Sequence, residues 1–232
     1  MRSRMLLIAK GIPPSEPWLE TCAGHLEAAC AGSGRMKFVM KSVLNRAYAP
    51  QVFDACLALY EAGALPKPPV FSALTWAFRI KQESLTAHLG GVERTVACFR
   101  ELREVSPLQK PVTLWRGVTE AARAHGMLWR ADVGVAALFA TGHADAKPWC
   151  VVRSEVQPAA ILHFETKVDV RVTVDPARLG PVYLEDCRLL TSPRLIEPGE
   201  VPEVPQTLLD RWMEKALIAR ARVQMLGSLR FR

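Results

Sequence analysis

The segment T-L-W-R-G-V, residues 113–118, decides how the second half of this chain is interpreted. The apolar and aromatic residues before Arg116 are typical of a β-strand, and Gly117 ends the run. Arginine is rarely buried without a partner, so its place at the end of a strand needs an explanation. Three remain open: a solvated strand end, a structural ion pair with an acid such as Asp169, or an anion-binding group at the edge of a pocket.

Short apolar runs that glycine and proline interrupt continue after this segment, as strands do. They are WCVV, AAILHF, VDVRVTV, PVYL and RLLT. In the third run valines alternate with polar residues, which predicts one buried face: Val168, Val170, Val172 and Val174. Residues 131–141 are instead typical of a short helix, with Asp132 as its N-cap.

Before this segment, residues 15–104 carry apolar residues three and four positions apart, which predicts a series of helices. The first eleven residues hold too short an apolar run for a signal peptide, and we interpret them as a leading strand or arm. The segment S-P-L-Q-K-P, residues 106–111, marks a boundary. From about residue 205 the helical period returns.

The predicted fold class is therefore α+β, in three parts. Residues 1–108 form a mostly helical region, residues 109–204 a β-rich domain, and residues 205–232 a basic C-terminal helix or tail. The last part has a net charge of +4, because it holds six cations and two carboxylates. The cations are Arg211, Lys215, Arg220, Arg222, Arg230 and Arg232, and the carboxylates are Asp210 and Glu214.

The composition limits the functional classes. Half of the 232 residues are hydrophobic and 23% are charged, which is typical of a globular protein. No apolar run reaches the roughly 18 residues of a membrane helix, so we expect no membrane association. The six cysteines form no C-x-x-C pair and the five histidines are scattered, which predicts free thiols in a reducing cytoplasm and no metal site. The net charge of +7 allows a nucleic acid or an acidic protein as partner.

Three segments taken in order resemble the ADP-ribosyltransferase fold, in its Arg-Ser-Glu branch of small bacterial and phage proteins. They are L-W-R-G-V (114–118), G-M-L-W-R-A-D-V-G-V-A-A-L-F-A (126–140) and A-I-L-H-F…V-D-V-R-V-T-V-D-P-A-R-L (160–179). In that family a strand ends L-Y-R-G, and a second strand carries S-W-T or S-T-S. A helix D-x-x-V-A-x-x-F-A follows, and a later strand precedes E-x-E-V-V-V-D-P. The resemblance spans about residues 111–180 and implies a split β-sheet domain.

The resemblance implies that Arg116 holds the phosphates and ribose of NAD, for which a fixed fork of donors is suited. It also implies that Gly117, Trp129 and Phe139 line the cofactor site. Considered without the resemblance, Trp129 and Trp115 are better explained as core residues than as stacking platforms.

The catalytic positions depart from the family. The family serine falls on Leu128, which cannot form a hydrogen bond through its side chain. The first glutamate falls on Asp169, and the catalytic glutamate falls on Arg171. A cation at that position opposes the positive charge that builds on the sugar when the nicotinamide bond breaks.

The resulting expectation is a degenerate ADP-ribosyltransferase-like protein that acts by binding a macromolecule, with a protein partner favoured over nucleic acid and no cofactor. One alternative is an active NAD-dependent transferase in which Glu185 supplies the carboxylate, Glu165 being a further candidate. A second alternative is a nucleic-acid-binding protein that uses the basic C-terminal helix and the N-terminal helices. The expected location is a bacterial cytoplasm or an infected host cell.

Overall fold

The computed structural model describes residues 2–103, 108–119, 124–141, 149–165, 171–185, 194–198, 200, 202 and 204–228, with the backbone alone for 225–228. Within these residues the chain has eight α-helices and one six-stranded antiparallel sheet. The mixed α+β class with N-terminal helices and a C-terminal helix is therefore confirmed. The chain divides into two compact units, Met1–Glu104 and Val105–Arg232.

The first unit is helical, as the apolar period of residues 15–104 predicted. Its helices are α1 (Arg2–Ala9), α2 (Leu19–Cys30), α3 (Met36–Ser42), α4 (Ala49–Glu61), α5 (Lys67–His88) and α6 (Val92–Leu102). Pro50 lies in the first turn of α4, where its missing N–H costs nothing. Gly32 and Gly63 adopt positive φ angles of 74° and 71° just after α2 and α4, which closes both helices.

The interpretation of the first residues as a strand or arm is wrong, because residues 2–9 form α1. Ser3 and Leu7, one helical turn apart, are both buried, and α1 packs against α2 and α4. The backbone N–H of Ser3 donates to Glu27 of α2 at 3.3 Å. An apolar run of this length fits either a strand or a helix, and burial of one helical face decides between them here.

Aromatic side chains occupy the core between the last two helices of this unit. The rings of Phe78 and Phe99 meet edge to face at 5.2 Å, and Phe71 meets Phe99 in the same way at 6.2 Å. Such tilted pairs add to the free energy that the burial of the rings already contributes.

The second unit is built on the sheet. Its strands are β1 (Val112–Thr119), β2 (Leu128–Arg130), β3 (Trp149–Val156), β4 (Ile161–Glu165), β5 (Arg171–Val174) and β6 (Val182–Leu184). Their order across the sheet is β4-β5-β2-β1-β3-β6. β1 therefore lies inside the sheet, between β2 and β3. The predicted strand at 188–191 and the residues Val168 to Val170 lie outside the described residues.

Two helices accompany this sheet, one packed on its strands and the other packed on the first helix. Helix α7 (Val133–Thr141) packs against β1 and β3, and Asp132 caps it by accepting a hydrogen bond from the Val135 N–H at 3.0 Å, as predicted. Helix α8 (Gln206–Ser228) packs against α7 and confirms the helical period after residue 205. No described helix is both long and apolar enough to cross a membrane.

Candidate functional site

Strand β1 presents different side chains to its two sides. Successive strand residues alternate between faces, so Trp115 and Gly117 lie on one face and Arg116 on the other. The face of Arg116 also carries Leu114 and Val118, which are buried in the core of the unit. An arginine between two core residues is therefore directed into protein, and it needs acceptors there.

Arg116 finds an acceptor on the neighbouring strand. Its guanidinium donates a hydrogen bond to the backbone carbonyl of Leu128. Gly126 lies against the same guanidinium, and a Cβ at that position would collide with it. Burial lowers the pKa of Arg116 to about 10, so the group stays charged at neutral pH. The structure thus places the predicted NAD anchor in contact with the segment that leads into β2.

Gly117 lies beneath α7. A Cβ at this position would overlap the Ala136 carbonyl and approach the Ala140 nitrogen to 2.8 Å. The glycine therefore allows the helix backbone to lie directly on the strand. Helix packing accounts for this residue without a ligand.

Trp129 is a core residue. Its side chain is fully buried, and its indole Nε1 donates to the Gly126 carbonyl at 2.8 Å. The expectation of a core position is confirmed, and the ring has no exposed face for the cofactor stacking that the resemblance implied. Leu128, at the family serine position, is half-buried and lies opposite Thr173 of β5.

Charged residues lie in a single row across the face opposite Arg116. Arg130 of β2 is paired directly with Arg171 of β5, and Arg171 is paired on its other side with Glu165 of β4. Directly opposed residues of an antiparallel pair share a face, so the two guanidinium groups are neighbours. Arg171 therefore stands beside a second cation at the position where the resemblance expects the catalytic glutamate. Asp169 lies outside the described residues.

Arg130 is enclosed although it is charged. Its side chain retains only 5% exposure, and its guanidinium carbon lies 3.9 Å from the centroid of the Phe139 ring. Phe139 itself is 42% exposed. The ring that the resemblance assigned to the cofactor thus contacts an arginine of the protein through a cation–π interaction.

Glu185 follows β6 and is held on the face of Trp115. Its N–H donates to the Val151 carbonyl at 2.9 Å, and its carboxylate accepts from the Trp115 indole at 2.7 Å. The Nε of Arg153 lies 3.8 Å from the same oxygen. Because Trp115 and Arg116 project from opposite faces, the alternative catalytic carboxylate and the side chain of Arg116 lie on opposite sides of β1.

Arg153 belongs to this arrangement and was missed by the sequence interpretation. It lies on β3 directly opposite Trp115, and Tyr183 of β6 lies directly opposite Arg153. The alternation of Arg153 and Glu155 with Val152 and Val156 could have placed it on the face opposite the two valines. Its partner Glu185 could not be found in this way, because 32 residues separate the two in sequence.

Neither metal nor thiol chemistry is indicated in the described part of the chain. It holds no group of three or more His, Cys, Asp or Glu side chains that could bind a metal ion. The five described cysteines are free thiols. Burial raises the pKa of Cys22 to about 11 and of Cys150 to about 12, and it raises the pKa of Cys56 further, so these thiols stay protonated.

Comparison with known proteins adds no assignment: no family model, no curated protein and no solved structure matches the chain.

Proposed function

We propose that the unit Val105–Arg232 is an ADP-ribosyltransferase-like module that lacks the transfer chemistry and acts by binding a macromolecule. The three segments that carry the resemblance support this proposal through their arrangement. They fall on β1, on β2 with α7, and on β4 with β5, and β5, β2 and β1 are neighbours in one sheet. Segments far apart in sequence are thus brought to neighbouring strands, although Arg116 projects from one face of the sheet and Arg171 from the other.

The pairing of Arg130 with Arg171 carries the proposal. Cleavage of the nicotinamide–ribose bond develops positive charge on the sugar, and a carboxylate beside the sugar lowers that barrier. One unit charge at about 4 Å and an effective dielectric near 20 is worth roughly 4 kcal/mol. Replacing the carboxylate by a guanidinium changes the sign, which raises the barrier by up to about 8 kcal/mol and lowers the rate by several powers of ten.

The positions of Arg116 and Glu185 argue in the same direction. Arg116 already donates to the Leu128 carbonyl, and Glu185 already accepts from Trp115. An active transferase that used these two residues would have to break both interactions and bring the groups to one side of β1. We therefore propose that the module uses no NAD.

Large apolar side chains on α8 favour a protein as the partner. Met213, Leu217 and Ile218 are 40%, 60% and 48% exposed. Apolar surface of this kind on a helix is more typical of a protein contact than of a phosphate backbone.

Release of nicotinamide from NAD by the full-length chain tests the proposal. The wild type and Glu185→Ala should both show no release above the rate of NAD without protein. Turnover by the wild type that disappears in Glu185→Ala would establish the active transferase and refute the proposal. Glu155→Ala is the matched control, because Glu155 is an exposed carboxylate on β3.

A further inference from the structure

A basic surface surrounds α3 in the first unit, and nothing in the transferase resemblance involves it. We call the residues Arg35, Lys37, Phe38, Lys41 and Arg46 the α3 surface; all five are exposed. The chain contains no aspartate or glutamate from residue 28 to residue 53. The four cations therefore form a local excess of positive charge on a chain that has both signs elsewhere.

These cations have no carboxylate partners among the described residues. Other cations of the same unit do, since Arg4 pairs with Glu20, and Lys10 lies 3.0 Å from Asp54. An exposed cation without a partner leaves its potential available to an anion from outside. Four such cations along one short segment match the repeated charge of a phosphate backbone better than they match a single ion.

Phe38 adds an aromatic ring among the cations. It is 42% exposed, and its ring stacks on His25 of α2 at 5.6 Å with an interplanar angle of 28°. The Nζ of Lys37 lies 5.1 Å from its centroid, and Lys41 follows one helical turn later. Surfaces that bind single-stranded nucleic acid characteristically combine cations with aromatic rings. The bases stack on the rings, and the phosphates pair with the cations.

The buried side of α3 argues against a membrane as the occupant. Met36, Val39 and Val43 are all directed inward and buried. A helix that lies in a bilayer interface needs a wide apolar face turned outward. Here two large apolar side chains, Phe38 at 42% and Leu44 at 73%, are exposed beside four exposed cations. They do not form a wide apolar face, so the chemistry of this surface suits a hydrated polyanion.

We propose that the α3 surface binds the backbone of a single-stranded nucleic acid, with Arg35, Lys37, Lys41 and Arg46 against phosphates and Phe38 against a base. This inference is independent of the proposed function, because every residue in it lies in the unit Met1–Glu104. Each phosphate contact on a single strand contributes about −0.7 to the slope of the logarithm of the association constant against the logarithm of the salt concentration. Four contacts therefore predict a slope of about −3.

The test is fluorescence anisotropy of a labelled single-stranded oligonucleotide of mixed sequence, titrated with the full-length chain over a series of salt concentrations. The charge-reversal variant Lys37→Glu with Lys41→Glu should weaken binding by at least about tenfold near 0.1 M salt and reduce the slope by about one and a half. Both residues are exposed, so the fold should persist, which circular dichroism checks. The matched control is Lys81→Glu with Arg94→Glu, which makes the same change in net charge at exposed residues of the same unit.

A second variant tests the aromatic contribution. Phe38→Leu keeps an apolar side chain and removes the π face, and it should weaken oligonucleotide binding about fivefold or more. Unchanged affinity in this variant would overturn the single-stranded assignment.

Three further outcomes would overturn the proposal. The first is the absence of saturable oligonucleotide binding by the wild type. The second is an equal loss of oligonucleotide affinity in the control variant, which would show that binding depends on the net charge of the chain and not on the α3 surface. The third is tighter binding to vesicles that contain phosphatidylserine, or to polyglutamate, than to the oligonucleotide at the same salt concentration.

Discussion

Two arginines of the sheet in the second unit, Arg116 and Arg130, are held against groups of the protein, whereas the cations along α3 in the first unit are exposed to solvent. Arg116 reaches a backbone carbonyl and Arg130 lies against the Phe139 ring. Lys37 and Lys41 are exposed and have no carboxylate partner in the described part of the chain. The same type of charge thus contributes to the fold at Arg116 and Arg130 and is available for binding along α3.

A cation in a sequence motif therefore cannot be assigned to a ligand from the motif alone. Arg116 stands in the most suggestive motif of the chain, and its guanidinium is used inside the protein. The α3 segment matches no motif, yet its cations are exposed to solvent. Burial and the identity of the nearest acceptor separate the two cases.

The largest expected effect comes from Gly117→Ala. The added methyl would overlap the Ala136 carbonyl, so α7 must move away from β1. We expect a loss of about 3 kcal/mol in the free energy of unfolding, at the upper end for overpacking. Urea unfolding measures it, and Gly24→Ala, where a Cβ meets nothing within 4 Å, is the control. Equal stability of Gly117→Ala and the wild type would contradict the packing of α7 on β1.

Arg116→Met should lower the free energy of unfolding by about 2 kcal/mol, because the Leu128 carbonyl loses a charged donor. Methionine keeps much of the apolar stem, so the change reports mainly on the guanidinium. The exposed counterpart Arg46→Met should stay within about 0.5 kcal/mol of the wild type. Equal free energies of unfolding for the two variants would contradict the statement that Arg116 stabilises the fold and Arg46 does not.

Glu185→Ala should destabilise the protein by about 1–2 kcal/mol, since it removes the acceptor of the Trp115 indole and the carboxylate near Arg153. A double-mutant cycle with Trp115→Phe isolates the shared interaction. Additive effects of the two substitutions would mean that the hydrogen bond contributes no coupling energy.

Much of the fold could be predicted from the sequence because its signals are local. The cap at Asp132, the proline at the start of α4 and the glycines that follow α2 and α4 all act on residues close in sequence. Residues 2–9 were misjudged because a run so short has no clear period. The contacts of the candidate site were harder to predict, because Arg116 donates to the backbone carbonyl of a residue 12 positions away. Every residue has such a carbonyl, so the sequence does not show which one accepts.

The smallest expected effect is that of Phe139→Leu. The ring is partly exposed, and its cation–π contact with Arg130 should contribute about 0.5–1 kcal/mol. Thermal or urea unfolding of this variant and of Phe139→Tyr, which keeps the π face, separates the ring contact from general packing. A larger loss in Phe139→Tyr than in Phe139→Leu would contradict the assignment.

Calorimetric titration of the full-length chain with NAD tests whether Arg116 and Arg130 serve the fold alone or also bind the cofactor. We expect no saturable heat at millimolar NAD, for the wild type and for Glu185→Ala alike. Saturable one-to-one binding of NAD to the wild type would contradict this prediction, whether or not Glu185→Ala removes the binding.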